Sequence, residues 1–151
     1  MANTYTQLFV HIIFGPKGCN NSIPPQIKEK IHKYITGVIQ QSKNKLIAIN
    51  SMPDHIHILV GLNPEQSIAN LVRDIKRAST EYLRSNNLIG SNFYWQSGYG
   101  AFSYSQSQID NVIKYINNQQ IHHKRKTFYE EYLEFLEKFK IQFDKKYILD
   151  K

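Results

Sequence analysis

The period of the apolar residues changes repeatedly along this chain, and that succession constrains its fold more than any other feature. Tyr5 to Phe14 is rich in β-branched and aromatic residues and stops at Gly15-Pro16, the pattern of a buried strand entering a loop. After Pro24-Pro25, Ile27, Ile31, Ile35, Val38 and Ile39 recur at helical spacing to about Gln41. Leu46 to Ile49 and Met52 to Leu62 read as two strands separated by Asn50-Ser51 and ended by Asn63-Pro64. Ser67 is placed to cap a second helix with Ile68, Leu71, Val72, Ile75 and Leu83 along one side. Phe93 to Tyr104, aromatic with interspersed glycine, suits a strand or extended ribbon. Ser105 or Ser107 can then cap a third helix through Ile109, Val112, Ile113 and Ile116. A last helix from about Phe128 to Phe139 uses Tyr132, Leu133, Leu136 and Phe139.

The order β-α-β-β-α-β followed by helices predicts an α+β fold: a ferredoxin-like, RRM-like antiparallel sheet with helices on one face, plus C-terminal helices. With 151 residues and no repeat, low-complexity tract or linker, one domain over 1–151 is expected. Many functions share this fold, so the chemistry has to be read from particular residues.

Charge narrows the partners. The chain carries 19 Lys and Arg against 12 Asp and Glu, a balance that favours polyanions. The excess lies in the middle: residues 66–126 hold 8 basic and 3 acidic side chains, whereas 127–151 hold 5 and 6. Cys19 is the only cysteine, which excludes an intrachain disulfide and a thiolate-rich zinc site and fits a reducing cytoplasm. The apolar run Leu8 to Phe14 is far too short to span a bilayer and lacks the basic flank of a signal peptide, so no membrane role is expected.

The segment most informative about chemistry is Met52-Pro53-Asp54-His55-Ile56-His57-Ile58-Leu59-Val60. Side chains alternate across a strand, so His55 and His57 share one face while Ile56, Ile58 and Val60 share the other. Two neutral imidazoles at i and i+2 can hold one metal ion and leave it most of its charge; an ordinary pair of sheet histidines has the same spacing. Tyr115 and Gln119, four residues apart on the third helix, fall on one face beside the apolar stripe. A phenol with a pKa near 10 needs a polarised phosphate to act as a nucleophile, and any one of 10 tyrosines is more commonly a packing aromatic. Spacing leaves both readings open.

His-hydrophobe-His on a strand, followed by a helix bearing Tyr-x-x-x-Gln, resembles the HUH endonucleases, and more closely the single-tyrosine transposases of the insertion-sequence 200/605 group. The resemblance is carried by His11-Ile12-Ile13-Phe14, by Met52 to Val60, by Trp95-Gln96-Ser97-Gly98-Tyr99-Gly100, and by Val112 to Gln119, in that order over nearly the whole chain. It implies a DNA transposase. In such an enzyme His55, His57 and Gln119 ligate Mg²⁺ or Mn²⁺, and Tyr115 attacks the scissile phosphate of single-stranded DNA. The attack leaves a 5′-phosphotyrosyl intermediate and a free 3′-hydroxyl that can be rejoined to another end. It also implies hairpin-bearing DNA ends and a homodimer, with the tyrosine helix of one subunit often set against the partner's histidines. One departure stands out: where the family often has a Lys-Tyr-Arg-like loop after the first strand, this chain reads Lys17-Gly18-Cys19-Asn20-Asn21.

Other residues have two readings each. Arg73, Lys76 and Arg77, at i, i+3 and i+4 with Arg84 beyond them, can neutralise phosphates or form a solvated helix face. Lys124-Arg125-Lys126 can hold a DNA flank or favour a helix C-terminus. Tyr94, Trp95, Tyr99, Phe102 and Tyr104 can stack unpaired bases or build core. Asp54 can orient a ligand histidine or simply make a turn, and His11 can neighbour the site or be a hydrogen-bonded sheet residue. His122 and His123, three and four residues after Gln119, can enter the metal shell, contact the substrate, or be surface or packing residues, and stay outside the ligand set. A non-catalytic RRM-like nucleic-acid-binding module is the rival reading, although such a module has no need of Tyr-x-x-x-Gln and the chain lacks the aromatic RNP1 pattern. A domesticated relative that processes chromosomal hairpin repeats would keep the same chemistry.

Overall fold

In the computed structural model, which describes residues 3–18, 22–122 and 125–149, one four-stranded sheet organises the chain. Its strands are β1 (Phe9–Phe14), β2 (Lys45–Met52), β3 (His55–Gly61) and β4 (Gly100–Tyr104), in the order β2-β3-β1-β4. Every neighbouring pair is antiparallel. This is the predicted β-α-β-β-α-β arrangement.

Helices α1 (Lys28–Gln41) and α2 (Ile68–Ser85) cover one face of the sheet. The core there joins Val10, Ile12 and Phe14 of β1 and Ile56, Ile58 and Val60 of β3 to Ile31, Ile35, Ile39, Leu71, Val72, Ile75 and Leu83. Ser67 caps α2 as expected, its hydroxyl accepting from the Asn70 amide at 3.0 Å.

Strand alternation sends His11, Ile13, His55, His57 and Leu59 to the other face, and the remaining helices cover it. They are α3 (Ile109–Asn117), the single turn α4 (Gln119–His122) and α5 (Phe128–Lys138). Ile109, Val112 and Ile116 pack on Ala48 and Leu59. Phe128, Tyr132, Phe135 and Leu136 pack on Ile13 and Phe102. Between these two apolar patches lies a polar strip formed by the histidines.

Three boundaries differ from the sequence reading. Asn50-Ser51 is not a break, because β2 runs on to Met52 and the chain reverses at Pro53-Asp54, with Met52 paired to His55. Proline has no amide to donate to a ladder, so the turn forms there. Asn50 and Ser51 keep their polar groups satisfied from within the strand: Asn50 Nδ2 donates to the Ile116 carbonyl at 2.8 Å, and Ser51 Oγ lies 2.8 Å from His32 Nε2. A register irregularity between Leu46 and Ala48 sets both Ile47 and Ala48 under α3.

Second, only Gly100–Tyr104 of the aromatic stretch is a strand, and the part before it joins the sheet through a single bridge, Trp95 to Pro16. Third, helix three does not run through to Gln119; α3 ends at Asn117, and Asn118 separates it from α4. The third helix also has no side-chain cap. Ser105 and Ser107 lie 3.0 Å apart, hydroxyl to hydroxyl, ahead of and within a 3-10 turn.

Candidate metal and tyrosine centre

His55 and His57 project side by side from β3 beneath α3, α4 and α5, and both are completely buried. Each ring is held by its Nδ1. His55 Nδ1 lies 2.7 Å from Asp54 Oδ1, and since a carboxylate only accepts, that nitrogen carries the proton. Asp54 therefore orients the imidazole from its place in the turn. The same ring stacks on Phe128 at 4.3 Å between centroids with the planes 5° apart. His57 Nδ1 lies 2.7 Å from His11 Nε2, the two rings stacked at 4.9 Å. Burial, followed by the neighbouring His57, holds the His11 pKa well below the ordinary histidine value, which keeps His11 neutral. Both Nε2 atoms are thus aimed at one point.

Three further side chains reach that point. Gln119, fully buried, puts Oε1 3.0 Å from His55 Nε2. Its amide nitrogen faces two acceptors, Glu131 Oε2 at 3.3 Å and the Tyr115 carbonyl at 3.4 Å, which fixes the orientation of the amide. Tyr115 donates its hydroxyl to Glu131 Oε2. Burial first, and this hydrogen bond second, raise the Tyr115 pKa far above 10, so the phenol is neutral at rest. Glu131 Oε1 lies 3.1 Å from His57 Nε2 and 3.6 Å from His55 Nε2.

The sequence reading named His55, His57, Tyr115 and Gln119, and the structure brings all four together within one chain. The break at Asn118 does not separate Tyr115 from Gln119, because the turn α4 carries the amide back under the tyrosine. Asn50 supports this by taking the carbonyl of Ile116, one of the last in α3 and outside the helical hydrogen-bond pattern.

Glu131 was missed. It occupies the first turn of α5, where acidic residues are common, next to Glu130 of a complete Thr127/Glu130 capping box. The available signal was its phase. Glu131 stands three residues after Phe128 and four before Phe135, on the buried stripe of the helix, and it is only 3% exposed. A carboxylate on the apolar face of a helix needs a partner of opposite charge or strong donors.

The donor set fits a divalent cation. His55, His57 and Glu131 each offer a ligand atom, all within 4.8 Å of one another. A neutral His55 with its proton on Nδ1 turns the lone pair of Nε2 towards two more acceptors, Gln119 Oε1 and Glu131 Oε1. Positive charge between these lone pairs relieves their repulsion, and nitrogen, amide and carboxylate donors suit a hard or borderline metal.

The basic candidates lie elsewhere. Arg73, Lys76, Arg77 and Arg84 line a groove of about 660 Å³ along α2, together with Tyr94, Trp95 and Tyr99. Arg73 pairs loosely with Asp74 at 3.5 Å. Lys76 donates to the carbonyls of Gln96 and Gly98 and sits over the Tyr99 ring, and Arg84 lies over Tyr94. Of the aromatic candidates, Trp95 and Phe102 are core, whereas Tyr94 and Tyr99 stay exposed. Arg125 is exposed and lines a notch with Asp54 and Phe128. Lys124 and His123, and Cys19 to Asn21 of the loop after β1, fall outside the described residues. No helix among the described residues is long and apolar enough to cross a membrane.

Comparison with known proteins gives the family and the fold. The chain is 25% identical over 119 residues to the ISDra2 transposase TnpA of Deinococcus radiodurans, an alignment covering 75% of this chain and 84% of that protein. Its fold matches the crystal structure of a candidate transposase from Deinococcus radiodurans R1, with a TM-score of 0.62 and 23% identity over 78% of this chain and 94% of the other. It also matches a REP-associated tyrosine transposase bound to a REP hairpin, with a TM-score of 0.62 and 14% identity over 80% and 72% of the two chains. Residues 4–119, from just before β1 to the glutamine of the buried centre, match the family model for IS200-like transposases, and the chain belongs to that family.

Proposed function

We propose that this transposase cleaves and rejoins single-stranded DNA through a covalent bond between Tyr115 and a 5′-phosphate. The observation that carries the reading is the meeting of the Tyr115 hydroxyl with His55, His57 and Gln119 in one buried centre. His55, His57 and Gln119 hold Mg²⁺ or Mn²⁺, which when bound polarises a phosphate oxygen.

The rest is the work of the chain's own residues. Asp54 and His11 fix the two imidazoles through Nδ1, so that neither ring turns when DNA enters. The Tyr115 oxygen attacks the scissile phosphorus, a phosphotyrosyl bond forms, and the bond to the 3′-oxygen breaks, that oxygen taking a proton from water to leave as a 3′-hydroxyl. Glu131 Oε2, which already accepts from the tyrosine hydroxyl, stands where the departing proton is taken up. The energy of one phosphodiester is kept in another, so the 3′-hydroxyl of a second strand can reverse the reaction and join the ends.

The α2 groove suits the remaining DNA: Arg73, Lys76 and Arg77 offer charge to phosphates, and Tyr94 and Tyr99 offer faces to unpaired bases. Arg125 adds charge in the notch beside Asp54, and Lys124 is a candidate phosphate contact by its place in the sequence. The hairpin bound by the REP-associated structural neighbour supports hairpin-bearing ends as the substrate class. A homodimer, and action in the cytoplasm, follow from the family resemblance and the lone cysteine.

The test is incubation of labelled single-stranded DNA from the flanks of the coding region with wild type and Tyr115→Phe, with Mg²⁺ or with EDTA. A covalent protein–DNA band that requires both the hydroxyl and the metal is expected on a denaturing gel. Cleavage that survives Tyr115→Phe would sink the tyrosine mechanism. The same DNA separates a mobile element from a domesticated one, because only the former has its own cleaved ends beside the gene.

A further inference from the structure

We infer that Glu131 is a ligand of the metal centre, the anionic member of a set otherwise made of neutral donors. The inference rests on the reading of His55, His57 and Gln119 as metal-binding residues and extends it to a helix outside the segment that matches the family, residues 4–119.

Three observations lead to it. Glu131 Oε1 faces both imidazoles, 3.1 Å from His57 Nε2 and 3.6 Å from His55 Nε2, and it belongs to the one histidine and carboxylate cluster of metal-binding shape among the described residues. It is 3% exposed, so its carboxylate faces the interior and not solvent. A buried carboxylate is stabilised by the groups it faces, and Oε1 faces the two imidazoles. Finally, its position is enforced. The Thr127/Glu130 capping box starts α5 at a fixed residue, while Phe128 and Phe135 lock the same helix face against His55 and His11.

The two oxygens of Glu131 then have separate tasks. Oε1 joins the imidazoles and Gln119, while Oε2 holds the Tyr115 hydroxyl and the Gln119 amide. A single side chain of α5 thereby ties the metal to the nucleophile. The anionic ligand also strengthens binding, since an all-neutral set of two imidazoles and one amide leaves the full charge of the cation uncompensated in a buried site.

Mn²⁺ titration by isothermal calorimetry, without DNA, tests this directly on wild type, His55→Ala, Glu131→Gln and Glu131→Ala, with the metal-free melting temperature of each measured alongside. Glu131→Gln keeps the shape and removes the charge. We expect it to bind Mn²⁺ at least tenfold more weakly than wild type while melting within a few degrees of it in EDTA, with His55→Ala at least as weak. Should the glutamine variant fail to fold, Glu131→Ala carries the same comparison. Wild-type affinity in both Glu131 variants, with affinity lost in His55→Ala, overturns the role of Glu131 and leaves the histidine centre standing. Absence of Mn²⁺ binding by wild type overturns both.

Discussion

His32, on α1 and away from the proposed centre, carries the clearest pH signature in the fold. Its Nε2 lies 2.8 Å from Ser51 Oγ, and burial, followed by the charge of Lys28, lowers its pKa from 6.5 to about 4. Between those values the unfolded chain takes up a proton that the folded chain refuses, so this contribution is full above pH 6.5 and is lost as the pH falls to about 4. Below that both states are protonated and the loss stops. Because the side chain is partly open to solvent, the effect is on the order of 1–2 kcal/mol. Urea unfolding of wild type and His32→Gln at pH 7 and pH 4.5 should show a smaller drop for the variant. Equal drops would mean that His32 titrates normally. At the same scale, Glu131 shows how a residue of the buried centre escapes notice in a sequence: a glutamate in the first turn of a helix looks like an ordinary dipole partner. Only its phase relative to Phe128 and Phe135 set it apart.

Among the elements, α5 joins the local rules to the site most directly. Thr127 Oγ1 accepts from the Glu130 amide at 3.2 Å, and the Glu130 carboxylate accepts from the Thr127 amide at 3.1 Å. These two bonds set the residue at which the helix begins, and with it the direction of Glu131. Thr127→Ala is expected to cost about 1 kcal/mol, which lowers the melting temperature of a chain this size by roughly 2–4 °C. Scanning calorimetry without metal measures it, and an unchanged melting temperature would show that tertiary packing alone sets the start of α5. Helix α3 behaved differently. Its apolar stripe Ile109, Val112 and Ile116 was legible from period alone, yet its end was not. Asn117-Asn118 is a weaker stop signal than glycine or proline, and the carbonyl of Ile116 is taken by Asn50 from a strand more than sixty residues earlier.

At the scale of the whole molecule, the end of β1 and the β2–β3 turn press together through a glycine. A Cβ on Gly15 would stand 2.3 Å from the Asp54 carbonyl, whereas one on Gly37, within α1, would meet nothing within 4 Å. Gly15→Ala must push away the turn that carries Asp54 and leads into His55. It is therefore expected to lower stability by about 1–3 kcal/mol and to weaken metal-dependent cleavage as well. Gly37→Ala should leave cleavage intact and raise stability by about 0.5–1 kcal/mol, because alanine removes backbone freedom from the unfolded chain in an unstrained helix. Melting curves and the cleavage assay on the two variants make the comparison; a neutral Gly15→Ala would show that the close approach is readily relieved.

The sequence by itself determined what local periodicity and local chemistry can encode. Alternation on β3 placed both histidines on one face, a period near 3.6 defined the helices, and the order of elements selected the sheet; spacing put Tyr115 and Gln119 on one helical face, and the family resemblance singled them out. Even the misplaced turn was legible in hindsight, since Pro53 cannot supply a ladder amide. Only the tertiary structure decided how the second face of the sheet is closed. That closure sets Glu131 of α5 between residues 55, 57, 115 and 119, lets His11 brace His57 across β1 and β3, and makes Asn50 the anchor of α3. Each of these depends on groups far apart in the chain meeting in the buried interior, where an unpaired polar atom is costly. That cost is a property of the assembled interior, and beyond the phase of Glu131 on α5 the spacing of neighbouring residues does not carry it.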